Sequence, residues 1–129
     1  MVSLDTNAVL ALIIEERKEQ REKVLRLFTG NICHIADLVF PELEYILTKV
    51  YGFPREHVVA SINTLITNKN LRCNVALLID TLALYAYHPA LSFVDCCLAI
   101  EAGITRRTPL HTFDKKLFNQ SAGLAQLII

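Results

Sequence analysis

An α/β fold, organised as a single three-layer α/β/α domain with a mostly parallel central sheet of about five short strands, is what this chain predicts. Three observations carry that expectation. Short β-prone runs alternate with longer stretches of helical period, which implies parallel strands joined by helical crossovers and covered on both faces. The chain has 129 residues, 53% hydrophobic and 20% charged, enough for a sizeable core and too apolar for disorder. No internal repeat, low-complexity tract or linker interrupts it, so one domain is expected over residues 1–129.

The elements follow in order. Met1–Leu4 reads as a strand ending at Asp5, with a helix from Asn7 or Ala8. Glu15–Phe28 reads as a second helix whose solvent face carries Glu19 with Lys23 and Glu22 with Arg26 at i,i+4 spacing. After Gly30, Asn31–Ile35 is a second strand, and Asp37–Tyr51 a helix ended by Gly52 and restarted after Pro54. That next helix runs to about Thr67, where Asn68-Lys69-Asn70 stops it. A strand near Leu71–Cys73 leads to an apolar helix, Val75–Tyr87, halted before Pro89. Ser92 caps a helix to Ala102, with Gly103 as its stop. Pro109–Phe113 is a strand, Asp114–Phe118 one helical turn and Ala125–Ile129 a last strand.

Charge and cysteine usage narrow the function classes. The 13 basic and 13 acidic residues cancel, at a pI near 6.9, so the chain lacks the basic excess common in nucleic-acid binders. Contact with a polyanion would need a local patch or a bound cation. No secretory signal opens the chain, and the longest apolar run, Ala8–Ile14, falls far short of the roughly 20 residues a membrane helix needs. Cys33, Cys73, Cys96 and Cys97 show no C-x-x-C spacing and read as reduced, mostly buried side chains in a cytoplasmic protein. Neither they nor the histidines have zinc-ligand spacing.

Asp5, Glu42, Asp95 and Asp114 each interrupt a stretch that otherwise reads as core. A carboxylate in low dielectric is costly unless something positive compensates it, and no Lys or Arg adjoins the first three. Asp5 and Asp114 close strands just before helices, the edge at which α/β sheets build sites, although Asp is also a preferred N-cap. On a helical wheel Val39, Leu43, Ile46, Leu47 and Val50 form an apolar stripe, with Glu42 roughly 80° and Glu44 roughly 120° from its centre. Glu42 is therefore chosen, at the edge of the buried face. Asp95, the sole charge between Leu91 and Ile100, is the strongest signal, against the alternative of a buried, hydrogen-bonded aspartate. Asp80 is a rival in a similar apolar setting that could pair with Arg72 or another base. Together the acids suggest one pocket of carboxylates, whose oxygen donors suit Mg²⁺ or Mn²⁺.

With Leu4-Asp5-Thr6-Asn7, Pro41-Glu42-Leu43-Glu44-Tyr45-Ile46-Leu47, Val50-Tyr51-Gly52, Ser92-Phe93-Val94-Asp95, Glu101-Ala102-Gly103 and Thr112-Phe113-Asp114-Lys115-Lys116-Leu117, the chain resembles the PIN-domain ribonucleases over essentially its whole length. The resemblance is strongest to the VapC-type toxins of toxin–antitoxin pairs. It implies that Asp5, Glu42, Asp95 and Asp114 are both the catalytic and the metal-holding acids, with Asn7 and Thr112 in support. The implied activity is Mg²⁺- or Mn²⁺-dependent endoribonuclease cleavage, leaving a 5′-phosphate and a 3′-hydroxyl. It also implies a homodimer and a small cognate antitoxin. Arg106, Arg107, Lys115 and Lys116 flank the last site strand and could bind phosphate, though solvated helix positions explain the two lysines equally well. Phe113, Phe118 and Tyr45 could stack bases, but core packing is the simpler expectation.

Two other classes compete. A receiver-like signalling domain also gathers acids at strand ends, but it wants paired acids after the first strand, where Asp5 stands with Thr6 and Asn7. A PIN-like module that only binds RNA or protein would not need all four acids.

Overall fold

In the computed structural model, which describes residues 1–129, five short strands and seven α-helices follow one another along the chain. Every strand pairing is parallel, so the α/β class read from the alternation is the one observed. Two compact units make up the chain, Met1–Asn74 and Val75–Ile129.

The first unit contains β1 (Val2–Leu4), α1 (Thr6–Ile13), α2 (Lys18–Leu27), β2 (Cys33–Ile35), α3 (Val39–Lys49), α4 (Arg55–Thr67) and β3 (Leu71–Arg72). Its strands lie in the order β1-β2-β3, with Leu4 opposite Ile35 and Cys33 opposite Leu71. Parallel neighbours must be joined by crossovers, which α1–α2 and α3–α4 supply. All three strands therefore end on the same edge, and that edge carries Asp5, the segment after Ile35, and Cys73.

Apolar spacing decides which helix faces are buried. Val9 and Leu10 of α1 and Phe40, Leu43 and Leu47 of α3 are fully enclosed, and the two helices pack on each other. The helix expected over Glu15–Phe28 begins instead as a separate 3-10 turn, Glu15–Arg17, and becomes α-helical only at Lys18. Ile14 in extended conformation and Arg17 at ψ 37° break the α geometry on either side of the turn. At the other end of α3, Gly52 adopts φ +69°, a left-handed conformation that favours glycine, and Phe53 N–H donates to the Leu47 carbonyl at 2.9 Å.

The second unit contains α5 (Val75–Tyr87), α6 (Phe93–Ile104), β4 (Leu110–Thr112), α7 (Lys115–Gln120) and β5 (Ala125–Leu127). Helices α5 and α6 pack together, with Tyr85 meeting Phe93 edge to face at a ring separation of 5.3 Å. Strands β4 and β5 pair with Leu110 opposite Ala125, and α7 is the crossover between them. Gly103 does not stop α6. It takes an ordinary helical turn, and the reversal falls at Arg106, which adopts φ +58° while Arg107 N–H donates to the Ala102 carbonyl at 2.8 Å. The hydrogen bond back to Ala102 holds an arginine in a conformation glycine would take more readily.

All four cysteines are free thiols; Cys33 and Cys96 are buried, Cys73 and Cys97 half-buried. No helix is long and apolar enough to cross a membrane.

Candidate functional site

Asp5 sits one residue beyond the end of β1 and caps α1, its Oδ1 accepting from Ala8 N–H at 2.9 Å. The carboxylate is thereby fixed, while Oδ2 makes no protein hydrogen bond and remains open to a ligand. The next residue, Thr6, is buried, and its hydroxyl donates to Glu42 Oε2 at 3.0 Å. That bond draws the first turn of α3 to the first turn of α1, so Glu42 arrives beside the strand end that carries Asp5. Asn7 is exposed.

Thr6 was missed by sequence reasoning as a site residue. A hydroxyl directly after the strand-end acid, on the first turn of a helix, is the signal that could have found it.

The premise of four carboxylates in apolar surroundings needs correction. Asp5, Glu42 and Asp114 are exposed and Asp95 is half-buried. Residues at strand ends and in first helical turns lie where the core runs out, so apolar neighbours in sequence point inward while the acids face solvent. The wheel comparison is also reversed, for Glu42 is exposed and Glu44 half-buried. Glu42 lies in the first turn of α3, where the helix has not yet been covered. What holds its carboxylate is the Thr6 hydrogen bond, not burial.

The same edge holds an acid that the sequence reading took only as a helix start. Asp37 follows β2 by two residues, and its Oδ2 accepts from Asn74 Nδ2 at 3.3 Å, joining the ends of β2 and β3. Burial, and secondarily the negative charge of Asp37, push the Cys73 thiol pKa upward. Cys73 is thus held in its neutral form, which makes it a poor nucleophile.

In the second unit Asp95 is the third residue of α6, and its N–H donates to the Ser92 cap hydroxyl at 3.1 Å. Its carboxylate accepts no hydrogen bond from a hydroxyl or amide, which was the alternative to a site role, and the positive end of α6 favours its charge. Asp114 caps α7, with Oδ1 accepting from Lys116 N–H at 2.8 Å and Leu117 N–H at 3.2 Å. Thr112 Oγ1 accepts from Asp114 N–H at 3.0 Å, a bond to the backbone of the acid. Asp95 and Asp114 belong to neighbouring elements, because α6 packs against β4, whose carboxyl end leads to Asp114.

Arg106, Arg107, Lys115 and Lys116 are all exposed, as a phosphate-binding patch and a solvated surface both require. Phe113 is 77% exposed, Tyr45 60% and Phe118 36%, so the expectation that these rings pack into the core is overturned. Phe113 lies between Thr112 and Asp114 at the end of β4, where residues alternate in direction and the ring turns outward. Asp80 is exposed on α5, and Arg72 donates through Nη1 to the Lys69 and Leu71 carbonyls. Asp80 therefore needs no buried counter-charge.

No group of three or more His, Cys, Asp or Glu side chains is placed to hold a metal ion. Mg²⁺ keeps much of its shell as water and is commonly held through one or two carboxylates. A pair such as Asp5 and Glu42, each with an oxygen free of protein hydrogen bonds, fits that requirement in donor type.

A model of the PIN domain family matches residues 2–123. No curated protein and no solved structure matches the chain.

Proposed function

The chain belongs to the PIN domain family, whose members are typically nucleases, and from that we propose that it is a metal-dependent endoribonuclease hydrolysing RNA phosphodiester bonds. The observation that carries the reading is the Thr6–Glu42 hydrogen bond, which ties the Glu42 carboxylate to the residue that follows Asp5 at the carboxyl end of a parallel strand. Asp5 and Glu42, together with Asp95 and Asp114, are the proposed metal-holding and catalytic acids. Mg²⁺ or Mn²⁺ held by them would supply charge neutralisation at the phosphate and lower the pKa of an attacking water.

The side chains have distinct tasks in this reading. Asp5 and Asp114 are locked by their caps, so their outward oxygens are oriented before any ligand arrives. Thr6 holds Glu42, and Thr112 holds the backbone of Asp114. Asp95 offers a carboxylate with no competing protein donor. Exposed Arg106, Arg107, Lys115 and Lys116 contact phosphates, and Phe113 stacks on a base.

The biological setting follows from the resemblance to VapC-type toxins: a toxin paired with a small antitoxin and acting as a homodimer. The solvent-facing apolar residues Val75, Ile79 and Tyr87 of α5 support a surface for a second copy.

The test is cleavage of an RNA panel by purified protein with Mg²⁺, Mn²⁺ or EDTA, repeated with Asp5→Asn and Asp95→Asn. Cation-dependent cleavage lost in both variants is expected. Equal cleavage by all three proteins would sink the assignment. Growth arrest on induction of the chain alone, relieved by a neighbouring short reading frame, is the expected sign of a toxin.

A further inference from the structure

A second pocket in the first unit has no part in the proposed chemistry. It is a half-open cleft of about 280 Å³ lined by Ile13, Ile14, Glu15, Glu16, Tyr51, Phe53 and His57. The pocket opens where α1 ends, whereas Thr6 marks its start. Eight residues of α1 separate the two by about 12 Å at 1.5 Å per residue. A ligand here does not touch Asp5 or Glu42.

The walls are aromatic and braced. Phe53 and His57 stack in parallel with ring centroids 3.9 Å apart, and Tyr51 meets Phe53 edge-on at 6.5 Å. Arg17 holds the phenol from outside, with Nε and Nη2 donating to Tyr51 Oη at 3.2 and 3.1 Å and Nη1 to Gln20 Oε1 at 3.3 Å. Ile14 is buried and supplies an apolar floor, while Glu15 and Glu16 are exposed at the 3-10 turn. Aromatic faces over an apolar floor, with two carboxylates at the rim, make a receptor for an organic cation with a hydrocarbon stem.

The geometry points to this pocket as a binding site for the side chain of an arginine presented by a partner polypeptide. The charge of the rim selects that ligand over a nucleotide. Glu15 and Glu16 oppose a phosphate, and the Arg17 guanidinium is directed at Tyr51 and Gln20. A planar guanidinium stacks on aromatic rings and is weakly hydrated, so it loses less on leaving water than an ammonium does. The site stands independently of the nuclease reading.

Titration with Nα-acetyl-arginine amide, followed by amide NMR, tests it, with the neutral isostere Nα-acetyl-citrulline amide as comparison. Saturable shifts at Glu15, Glu16, Phe53 and His57 are expected, with arginine binding about fivefold or more tighter than citrulline. The double variant Glu15→Gln, Glu16→Gln alters only exposed side chains and should remove most of that difference while leaving the fold intact. Equal binding of citrulline, or absence of saturable shifts with arginine, overturns the proposal. Competition by adenosine monophosphate for the same amides would also overturn it, in favour of a base-stacking subsite.

Discussion

Asp5 can be a helix cap, a metal ligand or both, and one pair of substitutions separates these roles. The cap is a single hydrogen bond, Oδ1 accepting from Ala8 N–H at 2.9 Å at an exposed helix start. Asp5→Ala removes it and should cost about 1 kcal/mol of stability. For a chain of 129 residues that is a fall in Tm of about 3–5 °C. Asp5→Asn keeps an oxygen acceptor in the same place and caps about as well as Asp, so its Tm should stay within about 1–2 °C of wild type. The carboxylate charge is nonetheless gone. Loss of groups that merely support a metal ligand costs about 10–100-fold, so removing a direct ligand should lower RNA cleavage by more than about 100-fold. Thermal denaturation by circular dichroism and initial rates on end-labelled RNA with Mg²⁺ read the two effects separately. A stable Asp5→Asn protein that cleaves at the wild-type rate would reduce Asp5 to a cap and refute the site assignment.

Other substitutions probe the remaining links. Thr6→Val deletes the donor to Glu42 while keeping the buried shape; cleavage should fall about tenfold and Thr6→Ser should restore most of it, measured as kcat on the same RNA. An unchanged rate in Thr6→Val would show that the bond does not orient Glu42. Phe113→Ala should leave stability within about 0.5 kcal/mol, because the ring is 77% exposed, yet weaken RNA affinity by about 1–3 kcal/mol in a fluorescence binding assay. Cys73 should resist iodoacetamide at pH 8 relative to a free thiol peptide, and Asp37→Asn should speed its alkylation modestly, as followed by peptide mass spectrometry. Its raised pKa carries a stability consequence of definite sign. The unfolded thiol ionises first, so the Cys73 contribution is full below about pH 9 and is lost as pH rises toward the higher folded value.

The fold was legible where one-dimensional signals suffice. Short β-prone runs stood apart from longer stretches of helical period, and the alternation of the two implied parallel pairing. Gly52 marked the end of α3 because it alone there takes a left-handed φ. Gly103 misled for the complementary reason: a glycine is a stop only when the chain turns left-handed at it, and here Arg106 does so. Similarly, the i,i+4 charge pairs located α2 but could not reveal that Glu15–Arg17 tightens into a separate 3-10 turn.

For the candidate site, strand-end position was readable in the sequence and solvent exposure was not. Strand-end position identified Asp5 and Asp114, and both prove to be caps with an oxygen to spare. The wheel selected Glu42 on an argument about burial that the structure reverses, because a wheel treats a helix as uniformly covered along its length. Phe113 was expected inside on hydrophobicity alone, yet no neighbouring element covers it.

The sequence by itself determined the alternation of elements, the parallel pairing and the strand-end placement of two acids, since each depends on local periodicity and turn chemistry. Only the tertiary structure decided that Thr6 reaches Glu42 across 36 positions, that Asp37 shares the edge with Asp5, and that Tyr51, Phe53 and His57 line a cleft with Glu15 and Glu16. Those contacts arise from which helix faces pack against each other, and packing joins residues that no local spacing connects.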